Sequence, residues 1–125
     1  YPGVGTSFQA ETEPTNPLSA YGASKLAGEV LVRESGADHI IVRTSWVYAP
    51  EGKNFPLTIL RLAKERESLT VVADQIGAPT PADLIAEVTA AVMATGRTHP
   101  GTYNLAPSGE TSSSSACSAA VPSKT

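Results

Sequence analysis

Helical and extended patterns alternate along this chain, and that alternation restricts the fold more than any other feature. From about Ala20 to Glu34, Leu26, Ala27, Val30 and Leu31 form a helical stripe, and Gly36 is a plausible stop. Ile40, Ile41 and Val42 follow as a short β-branched run, of the kind expected for a strand covered on both faces. Helical spacing returns from Asn54 to Arg66, with Phe55, Ile59, Leu62 and Ala63 on one side. "LTVVA", residues 69 to 73, reads as a second strand, and "DQIGAPTP" as a loop. Thr80-Pro81-Ala82-Asp83 then has the form of a helix start, with Thr80 as cap and Pro81 at the first helical position. Leu84, Ile85, Val88, Ala91 and Val92 would be that helix's buried side, and Gly96 its end. "GTYNLA", residues 101 to 106, is the last strand candidate. Helix, strand, helix, strand, helix, strand predicts an α/β fold with a parallel sheet.

The flanks differ. Residues 1 to 20 are rich in Pro and Gly and read as loop, with Pro17 and Ser19 setting up a helix start. The stretch from Ser112 to Thr125 is dense in serine and without periodicity, and is expected to be a disordered tail. At 125 residues and 41% hydrophobic, the chain has material for one modest domain. A net charge of −3 with no block of like charge argues against a nucleic-acid partner. No apolar run approaches the roughly 20 residues that a membrane span needs. The single cysteine, Cys117, cannot form an internal disulfide and fits a reducing, cytoplasmic setting. His39 and His99 stand alone, so no metal site is expected.

The chemistry-bearing candidate is "AYGASKLAGE", where Tyr21 and Lys25 lie four positions apart and so one above the other on a helix. A free phenol holds its proton up to a pKa of about 10. A fixed positive charge beside it stabilises the phenolate, so that the phenol can hand a proton to an oxygen on which negative charge develops. A solvated helix face is the bland alternative. Gly22, Ala23 and Ser24 are small enough to let another chain or a cofactor approach the first turn.

"PTNPLSAYGASKLAGE" resembles the active-site helix of the extended short-chain dehydrogenases/reductases, and within them the dTDP-4-dehydrorhamnose reductase family. "IIVRTSWVYAPEGKNF", "VVADQIGAPTPADLIA" and "GTYNLAPSGETS" are similar to later segments of the same family. The resemblance runs from about Thr12 to Thr111. Its combination of Tyr-Gly-x-x-Lys, Arg-Thr-Ser-Trp-Val-Tyr and Asp-Gln-x-Gly-x-Pro-Thr is far more specific than any one motif.

The resemblance implies a Rossmann-like, doubly wound parallel sheet and NADPH-dependent reduction of the 4-keto group of dTDP-4-dehydro-L-rhamnose. Tyr21 would be the general acid, and Lys25 would assist it and bind the nicotinamide ribose. Tyr21 and Lys25, with Arg43 and Thr44, would lie at the cofactor; Ser45, Trp46, Asn54 and Gln75 would lie near the sugar nucleotide. Competing readings stay open for several of these. Trp46 and Tyr48 could line a pocket or fill a core, Asn54 could cap a helix, and Asp74 could fix a turn. NADH as donor, a magnesium ion and a homodimer are further family options.

No G-x-x-G-x-x-G run occurs here, nor the strand that would carry the family's Ser or Thr before Tyr1. Residues 1–111 are therefore expected to be the carboxyl-terminal part of a reductase, with the amino-terminal strands missing, poor NADPH binding and no activity in isolation. Two alternatives remain: a non-catalytic regulatory subunit, like the β subunit of methionine adenosyltransferase, or a sugar-nucleotide epimerase or dehydratase.

Overall fold

The structure is a computed structural model describing residues 1, 9–66, 68–72, 74–96 and 99–120. In chain order the elements are α1 (Ala20–Glu34), β1 (Ile40–Arg43), β2 (Val47–Tyr48), α2 (Phe55–Glu65), β3 (Ile76–Gly77), β4 (Thr80–Pro81), α3 (Ala82–Ala94), β5 (Gly101–Asn104), β6 (Thr111–Ser112) and α4 (Ser113–Ala120). The chain divides into two compact units, Tyr1–Arg43 with Gly96–Asn104 and Thr44–Thr95 with Leu105–Thr125. The fold is α/β, as the alternation implied.

In the first unit, α1 starts where Ser19 stops the preceding loop. The Ser19 backbone is extended and its hydroxyl accepts the Gly22 amide at 3.0 Å, which satisfies one of the helix's orphan donors. Gly22 is needed there for space: a Cβ on it would stand 2.9 Å from the Pro17 Cβ. Ser35 caps the far end and Gly36 leaves it at φ +70°, a conformation that glycine adopts freely. β1 pairs in parallel with β5, with Ile40 opposite Gly101 and Arg43 opposite Asn104. Coverage on both faces is not found: Ile40 and Val42 are exposed, and β5 is the partner strand among the described residues.

The second unit is built from two small strand pairings and three helices. β2 runs parallel to β4, and β3 antiparallel to β6. Asn54 caps α2, and Ile59 on that helix is the buried hydrophobic side chain among the described residues. α3 begins one residue later than its sequence signal suggests. Val47 pairs with Thr80, which pins Thr80 in extended backbone and buries it completely. Its hydroxyl therefore donates to the Ala78 carbonyl at 3.2 Å, and Pro81 takes the cap position without a side-chain bond. Leu84, Ile85 and Val88 are half-buried, whereas Ala91 and Val92 are exposed.

Two expectations meet a different structure. Residues 69–72 of "LTVVA" are not a strand, because no neighbour pairs with them among the described residues; Ala73 lies outside those residues. The serine-rich stretch expected to be disordered carries β6 and α4. Here the Ser112 hydroxyl accepts the Ser115 amide at 3.1 Å, as a helix cap does, and the Ser113 amide donates to the Gln75 carbonyl at 3.1 Å. α4 also packs against α2. Tertiary contact thus overrides the poor helix propensity of serine. Residues 121–125 lie outside the described residues.

Candidate active site

Tyr21 opens the first turn of α1, with 72% of its surface exposed. The Lys25 ammonium sits over its ring, 5.2 Å from the centroid, a distance at which a cation is attracted to the ring's negative face. The Ser24 hydroxyl donates to the Tyr21 carbonyl at 2.8 Å, so its polar group is turned onto the backbone. The phenol and ammonium stand together on an open helix face. As a donor set, one hydroxyl and one ammonium suit a carbonyl oxygen and a ribose hydroxyl.

The next residues of the same stripe form a second cluster. Glu29 and Arg33 follow Lys25 at four-residue intervals, and Arg43 reaches the cluster from the end of β1. Arg43 holds Glu29 with two hydrogen bonds, Nε to Oε1 at 2.9 Å and Nη2 to Oε2 at 2.7 Å. Arg33 adds Nη2 to Oε2 at 2.8 Å, and also donates to the Thr102 hydroxyl on β5 at 2.9 Å. Arg43 Nη1 donates to the Tyr1 hydroxyl at 2.8 Å, and its guanidinium lies 5.0 Å from that ring's centroid. The side chains of Arg43 and Glu29 are only 15% and 18% exposed. The Arg43 hydrogen bonds hold the Glu29 carboxyl below the ordinary carboxylate range, with Arg33 adding to the effect against the opposing cost of burial. Conversely, the Glu29 carboxylate raises Arg43 further above its ordinary value. Sequence reading placed Arg43 beside a cofactor, but the structure commits most of its guanidinium to Glu29 and Tyr1. The readable signal for Glu29 was its place on the Tyr21–Lys25 stripe.

The remaining candidates lie in the second unit. Thr44 and Ser45 are exposed, and the Ser45 hydroxyl donates to the Ala78 carbonyl at 3.1 Å. Trp46 is half-buried with φ +48°, a left-handed conformation uncommon for any residue but glycine and strained for a bulky one. Its carbonyl accepts the Thr80 amide at 3.2 Å. Its indole lies flat enough against Gly77 that a Cβ there would come within 2.8 Å of Cε2. The segments around Trp46 and Gly77 are thereby locked together, with Gln75 exposed beside them. Asn54 serves its helix: Oδ1 accepts the Leu57 amide at 3.0 Å, and Nδ2 donates to the Ala49 carbonyl at 2.8 Å. No cluster of three His, Cys, Asp or Glu side chains suited to a metal ion occurs among the described residues. No helix among them is long and apolar enough to cross a membrane.

The RmlD substrate binding domain family matches residues 1–123. The chain belongs to this family. The dTDP-4-dehydrorhamnose reductase of Burkholderia thailandensis is 50% identical over 119 residues, covering 90% of this chain and 40% of that protein. The reductase of the same name from Escherichia coli is 51% identical over 114 residues, covering 89% and 38%. Among solved structures, dTDP-4-dehydrorhamnose reductase from Bacillus anthracis in complex with NADP superposes with a TM-score of 0.74 at 43% identity, over 82% of this chain and 36% of that one. The chain therefore spans about 40% of the length of the curated relatives that it matches.

Proposed function

We propose that this RmlD-family chain is the proton-donating and substrate-binding part of an NADPH-dependent reductase acting on the 4-keto group of dTDP-4-dehydro-L-rhamnose. The observation that carries the reading is the Lys25 ammonium standing over the exposed Tyr21 ring at the start of α1. Reductase relatives that are about half identical to this chain support the same choice of reaction. NADPH, when bound, supplies the hydride. Tyr21 donates its hydroxyl proton to the C4 oxygen as negative charge grows there, and Lys25 provides the positive charge beside the resulting phenolate. The Lys25 ammonium is also the group to hold a nicotinamide ribose hydroxyl. Trp46 offers an indole face to the sugar ring, and the neighbouring Gln75 amide offers a donor and an acceptor. Asn54, with its Oδ1 capping α2 and its Nδ2 tied to the Ala49 carbonyl of the preceding loop, contributes by fixing the start of α2.

The test is the complete reading frame that encodes this chain, expressed and assayed for NADPH oxidation with dTDP-4-dehydro-L-rhamnose. Parallel arms use NADH, and NADPH with and without magnesium ion. Conversion to dTDP-L-rhamnose supports the reading; a folded protein that turns over none of it removes the reading and favours a regulatory subunit. The homodimer implied by the family resemblance belongs to the same proposal and is read by analytical ultracentrifugation.

A further inference from the structure

Glu29 lies one helical turn beyond Lys25, where an acidic side chain ordinarily pairs with a lysine. Such a pair would cancel the charge on which Tyr21 depends. Among the described residues that pair does not form, for a visible reason: both Glu29 oxygens are held by guanidinium groups, Oε1 by Arg43 and Oε2 by Arg43 and Arg33. The hold is strongest from Arg43, whose fork is bidentate and largely covered, while Arg33 is a more exposed partner. Tyr1 and β1 in turn fix the Arg43 fork, so it cannot follow Glu29 toward the helix start.

We propose that Arg43 is a positioning residue that sequesters the Glu29 carboxylate and so leaves the Lys25 ammonium uncompensated over Tyr21. This rests on the proposed role of Tyr21 as proton donor and adds to it a reason for the stripe's order of charges. Arg43→Gln leaves Glu29 on the more exposed Arg33 alone, from which it can swing toward Lys25. A carboxylate drawn onto the ammonium that stands 5.2 Å from the Tyr21 ring centroid offsets its charge, and turnover falls by roughly four- to two-hundredfold, the span running from full solvent screening to an effective dielectric of about 20.

The experiment compares three variants of the complete reading frame in the NADPH-oxidation assay. Arg43→Gln should lower kcat with little change in KM for NADPH. The double variant Glu29→Gln with Arg43→Gln should recover most of that loss, because the intruding carboxylate has gone. Arg43→Lys, which keeps a cation on Glu29, should fall between wild type and Arg43→Gln. A double variant no better than Arg43→Gln overturns the proposal and leaves the pair a structural tie. A raised KM for NADPH without rescue also overturns it, and makes Arg43 a cofactor contact. A crystal structure of the Arg43→Gln protein decides the geometry without any activity: Glu29 should lie within salt-bridge distance of Lys25, and Lys25 unmoved over Tyr21 with Glu29 elsewhere overturns the proposal. Tyr21→Phe in the same assay separates the two ideas, since full turnover in that variant defeats the proton-donor reading itself.

Discussion

Replacing Glu29 by Gln should destabilise the protein in a way that depends on pH. The substitution keeps shape but removes the charge that receives three guanidinium hydrogen bonds of 2.7 to 2.9 Å. With side chains 15% and 18% exposed, the Arg43–Glu29 pair falls between an open surface bridge and a fully buried one. A surface pair contributes about 0–1 kcal/mol and loss of one partner from a buried pair costs about 3–5 kcal/mol, so a loss of roughly 1.5–3 kcal/mol is expected. The sign with pH follows from the carboxyl being held below its ordinary range in the folded state. Its contribution is then fully present above the unfolded value of about 4.3, and is lost as pH falls through the lower folded value. Urea denaturation of wild type and Glu29→Gln should give a constant difference from about pH 6 to pH 8 that shrinks below about pH 4. A difference under about 0.5 kcal/mol at neutral pH, or one that persists undiminished in acid, would refute the reasoning.

Three other substitutions probe the second unit and the loop before α1. Asn54→Ala removes the α2 cap and should cost about 1 kcal/mol in the same denaturation assay; no loss would mean that the Asn54 amide does not hold the helix. Gly77→Ala pushes a methyl into the Trp46 indole and should cost about 1–3 kcal/mol, with a shift in the emission of the chain's single tryptophan; unchanged stability and emission would show that the ring has room to move. Gly22→Ala sets a Cβ against Pro17 and should displace the Pro17–Ser19 entry to α1, read as faster amide exchange at Gly22 and Ala23; unaltered protection would count against that contact.

The parts of the fold that were legible in the sequence are those decided locally. α1 is bounded by Ser19 and Gly36, and α2 by Asn54, because a cap and a left-handed glycine act within one turn of their own positions. What escaped was decided by distant partners. Thr80 looked like a cap until its pairing with Val47 buried it. Leu69 to Val72 have strand-like residues but no pairing neighbour, and strand propensity without a neighbour makes no strand. The serine run became helix through Ser112, Gln75 and contact with α2, none of which composition records. The site divides in the same way. Tyr21 and Lys25 were visible because helical spacing alone brings them together. The binding of Arg43 to Glu29 depends on where β1 ends beside α1, and the positive φ of Trp46 has no sequence signal at all.

The most direct measurement of the central claim is the turnover number of Tyr21→Phe in the complete reading frame, with saturating NADPH and dTDP-4-dehydro-L-rhamnose. Loss of the phenolic proton should lower kcat by roughly a hundred- to ten-thousandfold while the protein stays folded. A kcat equal to wild type would contradict the account, since the proton would then come from somewhere other than the helix start where Lys25 covers Tyr21.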